Sequence, residues 1–167
     1  MTNPYSAAVL LVVVALAQTS FWPGLGLGIA APDLMLLVTV AWSLLRGPGP
    51  ALSIGLVGGV LLDLLSGGPF GAVVLSLVPA SALTGLLQHG VSRESPWLPL
   101  VAGTISTLLY HGLYILILRL LAWPVPGIAL GLVEWLLPCL IWNALLMYPV
   151  YAALRRLHLR SAYGRAG

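Results

Sequence analysis

Charged residues are scarce in this chain of 167 residues, and lysine is absent. Charged residues make up 7% of the sequence, hydrophobic residues make up 60%, and the mean hydropathy is +1.05. A soluble domain carries about 25% charged residues, so this chain lacks the charges that a water-facing surface needs. No polar stretch is long enough to fold outside a bilayer. The composition therefore indicates a polytopic membrane protein with a single domain over residues 1–167.

The chain has one cysteine, Cys139, which excludes an internal disulfide and a metal site built from several cysteines. Cys139 lies in an apolar segment, where a small buried hydrophobic residue is the expected role. The sequence shows no Ser-His-Asp or Cys-His arrangement, and its glycine-rich "GLGLG" lacks the flanking features of a nucleotide fingerprint. We therefore expect no enzymatic activity, no catalytic residue, no cofactor and no metal site.

Basic residues are concentrated at the end of the chain. Four of the seven arginines lie in the last thirteen residues: Arg155, Arg156, Arg160 and Arg165. This short stretch follows an apolar segment directly and contains one aromatic residue, so a cytoplasmic membrane anchor is favoured over a nucleic-acid patch. We expect Arg155, Arg156 and Arg160 to bind the lipid bilayer and not nucleic acid.

The first apolar segment has two interpretations. Ala15-Leu16-Ala17 fits the small-residue pattern of a cleaved secretory signal. A signal also needs a positive region before its apolar run, and the first basic residue of this chain is Arg46. We therefore predict an uncleaved first helix.

Turn signals divide the sequence into six apolar segments. We predict an all-α fold with helices over about residues 5–21, 32–46, 51–66, 70–89, 97–122 and 128–157. A helix needs about 20 residues to span a bilayer, so the second and third segments are short. They would tilt little, thin the bilayer locally or be partly re-entrant.

The arginines also predict the orientation of this six-helix transmembrane bundle. With both termini in the cytoplasm, the internal regions hold Arg46, Arg93 and the four arginines of the tail, and the external side holds only Arg119. Cytoplasmic loops of membrane proteins carry such an excess of basic residues. Five helices would place Arg46 and the tail on opposite sides, so six helices with both termini cytoplasmic is the better prediction.

Four charged residues fall in the outer half of the predicted bundle. They are Asp33, Asp63, Arg119 and Glu134, here called the outer charges. An ionisable residue within a spanning segment is a candidate functional site. Asp33 has a structural explanation, because it follows Pro32 in the first turn of a helix, where the positive end of the helix dipole favours an acid.

Asp63 lies near the end of its predicted helix, where the dipole disfavours a negative charge. The amides of Gly67, Gly68 and Phe70 offer it a partner, because the glycines permit a tight turn and Phe70 opens the next helix. An ion pair with Arg119 is the alternative. We predict that the turn amides hold Asp63, which makes its role structural.

Other residues of the apolar segments are expected to serve helix packing. Gly55 and Gly59 form a pair of small residues that allows two helices to approach closely. His111 and Asn143 lie deeper than the outer charges. Hydrogen bonds across helices are favoured for them over a proton relay, because no ladder of carboxylates or histidines at successive depths is present.

The stretch from residue 32 to residue 71 resembles the rod shape-determining protein MreD family. A Pro-Asp pair begins a short segment, an arginine ends it, and the glycine-rich "GLVGGVLLDLLSGGPFG" follows. The matching residues are Pro32, Asp33, Arg46, Gly55, Gly59, Asp63, Ser66, Gly67, Pro69 and Gly71. The resemblance implies a non-enzymatic scaffold of the cell-elongation (Rod) complex in the bacterial inner membrane, which helps to control cell shape and lateral peptidoglycan synthesis.

The same resemblance implies partners. The direct partner would be the transmembrane helix of MreC, and through MreC the chain would meet the actin-like MreB, RodA and penicillin-binding protein 2. We expect the MreC helix to lie in a groove of the outer half, with Gly55 and Gly59 allowing close approach and the outer charges supplying polar contacts. The alternative is that the outer charges neutralise one another inside the monomer.

The MreD family is also similar in fold to the S-components of energy-coupling-factor vitamin transporters. This similarity supplies a second hypothesis, a solute-binding subunit. Such a subunit needs a pocket with several convergent polar groups, preferably under a long external loop, and the predicted external loops are short. A proton-coupled transporter would need acids near the midplane of the bilayer, and the acids here are shallow.

Overall fold

The computed structural model describes residues 4–22, 31–87, 97–125, 127, 134 and 136–163, and its account of side chains ends at residue 157. Within these residues the secondary structure consists of helices and contains no β-strand. The α-helices are α1 (Pro4–Leu16), α2 (Leu34–Arg46), α3 (Pro48–Ser66), α4 (Ala72–Leu87), α5 (Leu98–Leu120) and α6 (Leu137–Tyr163). A π-helical turn, Ala17–Phe21, continues α1. The all-α prediction is confirmed.

Helix α3 begins earlier than predicted. We expected "GPGP" to be a turn and the helix to begin near residue 51, but α3 begins at Pro48. Proline suits the first turn of a helix, where its missing N–H leaves no intrahelical hydrogen bond unmade. Gly47, with φ of 91°, supplies the whole turn between α2 and α3. At 19 residues, α3 is long enough to span a bilayer, which corrects the expectation of a short third segment.

The last two segments differ from their predicted bounds to unequal extents. Helix α5 agrees with the prediction to within about two residues at each end. Helix α6 continues to Tyr163, past the predicted end at residue 157. Most of the predicted start of this helix, residues 128–133 and 135, lies outside the described residues.

Helix α2 forms the centre of the bundle. Residues 35–44 are buried without interruption, and α2 contacts each of the other five helices. Thr39 and Ser43 are enclosed with the apolar residues, and their hydroxyl groups donate to the backbone carbonyls of Leu36 and Ser81. Its 13 residues extend only about 20 Å. Because other helices surround it, α2 does not need the length of a lipid-exposed span.

Helices α3 and α4 pack closely through Gly55 and Gly59. A Cβ atom at Gly59 would lie 2.8 Å from the Cα of Val74, and one at Gly55 would lie 2.9 Å from Oγ of Ser81. Both glycines are buried between the two helices. The expected role in close helix packing is therefore fulfilled within the chain. The close approach of a partner helix to these glycines, which we had expected, is blocked by α4.

Three helices of the described chain are long and apolar enough to cross a membrane. They comprise Pro48–Ser66, Leu98–Leu120 and Leu137–Leu157. The other three are shorter apolar helices. Large apolar side chains such as Leu64, Leu75, Leu120 and Leu145 point outward and are more than half exposed, as a lipid-facing surface requires. The six-span topology and its orientation stay predictions.

Candidate functional site

Asp63 binds the first turn of α4. Its carboxylate accepts hydrogen bonds from the backbone N–H groups of Gly71 at 3.0 Å, Val73 at 2.9 Å and Val74 at 3.2 Å. The first N–H groups of a helix have no intrahelical partner and form a natural site for an anion. Asp63 therefore lies near the unfavourable end of α3, but it faces the favourable end of α4.

The donors differ from those that we predicted. The expected donors were Gly67, Gly68 and Phe70, on the assumption that the next helix begins at residue 70. Helix α4 begins at Ala72 instead, and its free N–H groups are displaced along the chain accordingly. Gly67 has φ of 70° and ends α3 in the left-handed conformation. Within the described residues, no ion pair joins Asp63 to Arg119.

A second polar group is assembled at the same end of the bundle, around the start of α2. We call it the polar cluster. Its members are Gln18, Asp33, Thr107, His111, Cys139 and Asn143. They come from the π-helical turn after α1, the residue before α2, and the facing sides of α5 and α6. The cluster thus joins four segments that are far apart in the sequence.

Asp33 is the centre of the polar cluster. Its Oδ1 accepts a hydrogen bond from Nε2 of Gln18 at 3.0 Å. Its Oδ2 lies 3.2 Å from Nε2 of His111 and accepts a hydrogen bond from the thiol of Cys139 at 3.3 Å. Its backbone N–H donates to Oδ1 of Asn143 at 2.9 Å. The carboxylate is therefore surrounded by donors, which a charge in an apolar bundle requires.

The remaining hydrogen bonds hold the cluster rigid. Nδ1 of His111 lies 2.9 Å from the carbonyl oxygen of Thr107, and Nδ2 of Asn143 donates to Oγ1 of Thr107 at 3.1 Å. Thr107 and Asn143 are fully buried. Oε1 of Gln18 accepts from the backbone N–H of Met35 at 2.8 Å. A polar network whose members are all paired favours one arrangement of the helices around it.

This geometry changes the role that we expected for Asp33. Its side chain makes no capping hydrogen bond to its own helix. Gln18 caps α2 instead, through the N–H of Met35, and the carboxylate is left to face His111 and Cys139. Cys139 is buried as expected, but it is a hydrogen-bond donor to Asp33 and not only an apolar filler. His111 and Asn143 bridge helices, which is the role favoured for them.

The outer charges do not form one group. Asp63 is held by α4, Asp33 belongs to the polar cluster, and Arg119 and Glu134 are both exposed. In the described part of the chain, no ion pair joins any two of the four. Mutual neutralisation inside the monomer is therefore wrong for these residues. The physical reason is that backbone and side-chain donors closer in space already satisfy the two acids.

A cleft of about 520 Å³ opens beside the polar cluster. Asp33, His111 and Gln18 reach its wall. Aromatic rings form much of the rest: Trp22, Tyr110, Tyr114 and Trp123. Tyr110 is stacked on Tyr114 with 6.1 Å between ring centroids, and it meets His111 edge-on at 5.1 Å. The arrangement can hold a polar or cationic group against an aromatic wall.

A second cavity, of about 390 Å³, lies at the opposite end of α2. Its walls are mainly apolar residues of α1 and α6, with Trp42 and Arg46 from α2. The guanidinium group of Arg46 lies 5.1 Å from the centre of the Trp42 ring. This second cavity is bounded by α1 and the outer cleft by the π-helical turn that continues α1, so the two cavities lie at the two ends of the central helix.

Sequence reasoning missed three contributors to the site, namely Gln18, Tyr110 and Tyr114. Gln18 had a usable signal, because an uncharged amide in an apolar segment needs a partner. The tyrosines had none, since a tyrosine in an apolar helix is equally compatible with a lipid interface. Arg155 and Arg156 are exposed near the end of α6, and Arg160 lies beyond the side chains that the structure describes.

Comparison with protein families shows to which family the chain belongs. The family model of the rod shape-determining protein MreD matches residues 2–160. The chain belongs to the MreD family. The match extends well beyond residues 32–71, on which the resemblance rested, and includes both the polar cluster and the Asp63 turn. Comparison with curated proteins and with solved structures gave no match.

Membership of the MreD family establishes the general role. The family is a structural membrane protein family that determines rod shape, and it is not known for enzymatic activity. The apolar helices of this MreD chain agree with a protein of the membrane. The expected similarity to S-components stays a prediction.

Proposed function

We propose that this MreD-family chain is a non-enzymatic scaffold of the Rod complex in the inner membrane and binds the transmembrane helix of MreC. The observation that supports this most is the family match over residues 2–160. Through MreC the chain would act on MreB, RodA and penicillin-binding protein 2, and so on lateral peptidoglycan synthesis. The bundle itself contributes a rigid surface within the bilayer.

The short connections favour recognition inside the membrane. Gly47 alone separates α2 from α3, and five residues separate α3 from α4. The described chain therefore offers little surface outside the bundle at these points. In lipid, no hydrophobic force drives one helix onto another, so a partner helix must be recognised by packing and polar contacts.

The outer cleft is the docking surface that we propose for the MreC helix. It combines polar groups of the cluster with an aromatic wall, and a helix with small and polar residues would fill it. Gly55 and Gly59 no longer belong to this surface, because α4 covers them. The alternative surface is the inner face, with the cavity beside Arg46 and the arginine tail.

Cysteine crosslinking with co-expressed MreC tests this proposal. Thr19 and Leu65 line the cleft and each would be replaced by cysteine in a Cys139→Ser background, against a cysteine scan of the MreC helix. We expect strong crosslinks at both positions and none at Leu145, an exposed apolar position of α6 outside the cleft. A cysteine in place of Arg156, in the tail, tests the inner face. Crosslinks confined to this position would show that MreC docks there.

A solute-binding subunit is the second candidate function. The outer cleft favours it, because Asp33, His111 and Gln18 converge there in the way that a pocket for a small polar molecule requires. Complementation separates the two functions. If the chain is the scaffold, it should restore rod shape to cells of a normally rod-shaped species from which MreD has been deleted. Failure of a well-expressed chain to do so would favour the solute-binding subunit.

A further inference from the structure

We propose that Asp33, His111 and Cys139 form a binding site for a divalent transition-metal ion of the zinc type. Each residue offers one ligand atom, and the three atoms lie within 4.8 Å of one another. A carboxylate, an imidazole and a thiol are the three kinds of side chain that bind zinc in proteins. The mixture of sulfur and nitrogen ligands disfavours magnesium and calcium, which prefer oxygen.

Two of the three separations between ligand atoms agree with a tetrahedral site. With bonds of about 2.0–2.3 Å, neighbouring ligand atoms around a tetrahedral zinc ion lie about 3.3–3.7 Å apart. Oδ2 of Asp33 is 3.2 Å from Nε2 of His111 and 3.3 Å from Sγ of Cys139. The third separation, between Nε2 of His111 and Sγ of Cys139, is at most 4.8 Å, so the three atoms can share one ion after small side-chain movements.

The imidazole of His111 faces an acceptor at both nitrogens. Nδ1 meets the carbonyl oxygen of Thr107, and Nε2 meets the carboxylate of Asp33. A neutral imidazole carries one N–H, so it satisfies one of these acceptors and not both. A metal ion between Nε2 and Oδ2 would allow Nδ1–H to donate to the Thr107 carbonyl while Nε2 and the carboxylate both act as ligands. The thiol of Cys139 points at the same oxygen, and a metal ion replaces its proton.

Each of the three ligands is held by an outer partner. The Thr107 carbonyl turns Nε2 of His111 toward the site, which is the usual arrangement for a metal-binding histidine. Gln18 binds Oδ1 of Asp33 and leaves Oδ2 for the ion. Nδ2 of Asn143 lies 3.5 Å from Sγ of Cys139. The ligands are therefore oriented before any ion arrives.

Charge and access also favour this assignment. A zinc ion with one carboxylate, one thiolate and one neutral imidazole has no net charge, which lowers the cost of burying it among apolar helices. Asp33 and His111 reach the wall of the outer cleft. An ion held by these two side chains would therefore be reachable from the cleft.

The test uses the full chain in detergent, purified without a histidine tag and stripped with a chelator. Titration with Co²⁺ should produce the visible bands of tetrahedral cobalt and a thiolate charge-transfer band, with one ion bound for each chain. Zn²⁺ should abolish both signals by displacement. Cys139→Ser should lose the charge-transfer band, and His111→Asn should weaken zinc binding by at least about tenfold.

Two controls keep the result unambiguous. Serine at position 139 retains a hydrogen-bond donor for Asp33, so Cys139→Ser should fold, and thermal unfolding checks this. His158→Asn removes a histidine outside the cluster and should bind Zn²⁺ and Co²⁺ like the unmodified chain. Absence of binding by the unmodified chain overturns the proposal. If Cys139→Ser and His111→Asn both bind Zn²⁺ with the same affinity as the unmodified chain, the proposal is also overturned. The ion would then lie at an adventitious position.

Discussion

At the scale of single residues, Asp33 and Asp63 are satisfied in different ways. Asp63 binds backbone N–H groups of one neighbouring helix, all within eleven positions of it in the sequence. Asp33 binds side chains from segments as far as 110 positions away. Asp63 therefore joins two consecutive helices, and Asp33 joins the start of α2 to the π-helical turn, α5 and α6.

Replacement of Asp63 should lower stability. Asp63→Leu leaves three backbone N–H groups in apolar surroundings without their acceptor, and we expect a loss on the order of 3 kcal/mol. The measurements are the amount of folded protein in the membrane and its melting temperature in detergent. Ser66→Ala, at an exposed position nearby, should change neither. Normal abundance and melting of Asp63→Leu with lost function would instead indicate a binding role.

At the scale of helices, the contact between α3 and α4 depends on the absence of side chains. Val74 occupies the space that a Cβ atom at Gly59 would need. The opposing atom belongs to the backbone of Val74, so it cannot move aside as the end of a flexible side chain can. Two helices of a bundle can approach this closely only where one of them carries a small residue.

A matched pair of substitutions tests this contact. Gly59→Ala should destabilise the bundle by about 1–3 kcal/mol, because the added methyl group forces α3 and α4 apart. Gly112→Ala is the control, since nothing lies within 4 Å of a Cβ atom there. It should be neutral or stabilise α5 by up to about 1 kcal/mol through helix propensity. Equal melting temperatures of the two variants would contradict the close-packing argument.

At the scale of the whole molecule, the bundle is built around a helix that does not meet lipid. Helix α2 contacts all the other helices, and its two ends lie at the two cavities. The lipid-facing surface is supplied by the helices around it. This arrangement explains how a helix of 13 residues fits a membrane protein without thinning the bilayer.

The topology is a prediction about the whole molecule. The arginine bias places both termini in the cytoplasm and the turn between α3 and α4 outside. In a Cys139→Ser background, single cysteines at Gly68 and Ala166 would be labelled with a reagent that does not cross membranes. We expect labelling of intact cells at position 68 only. The same accessibility at positions 68 and 166 would contradict the six-span topology.

Much of the fold was predictable because it depends on local properties of the sequence. The scarcity of charge determined that the chain belongs in a membrane, and the apolar segments determined six helices in nearly the right places. The start of α3 was missed because "GPGP" contains both turn residues and a good first turn of a helix. The nature of the partner of Asp63 was also predictable, since the partner follows within a few residues.

Only the tertiary structure decided which distant residues meet. Nothing in the sequence pairs Asp33 with His111 and Cys139, because the crossing of α5 and α6 beside the start of α2 depends on side-chain packing along entire helices. The sequence determined by itself that the chain is an all-helical membrane protein of the MreD family. Packing decided that α4 covers Gly55 and Gly59, and that Asp33, beside the cleft, faces an imidazole and a thiol.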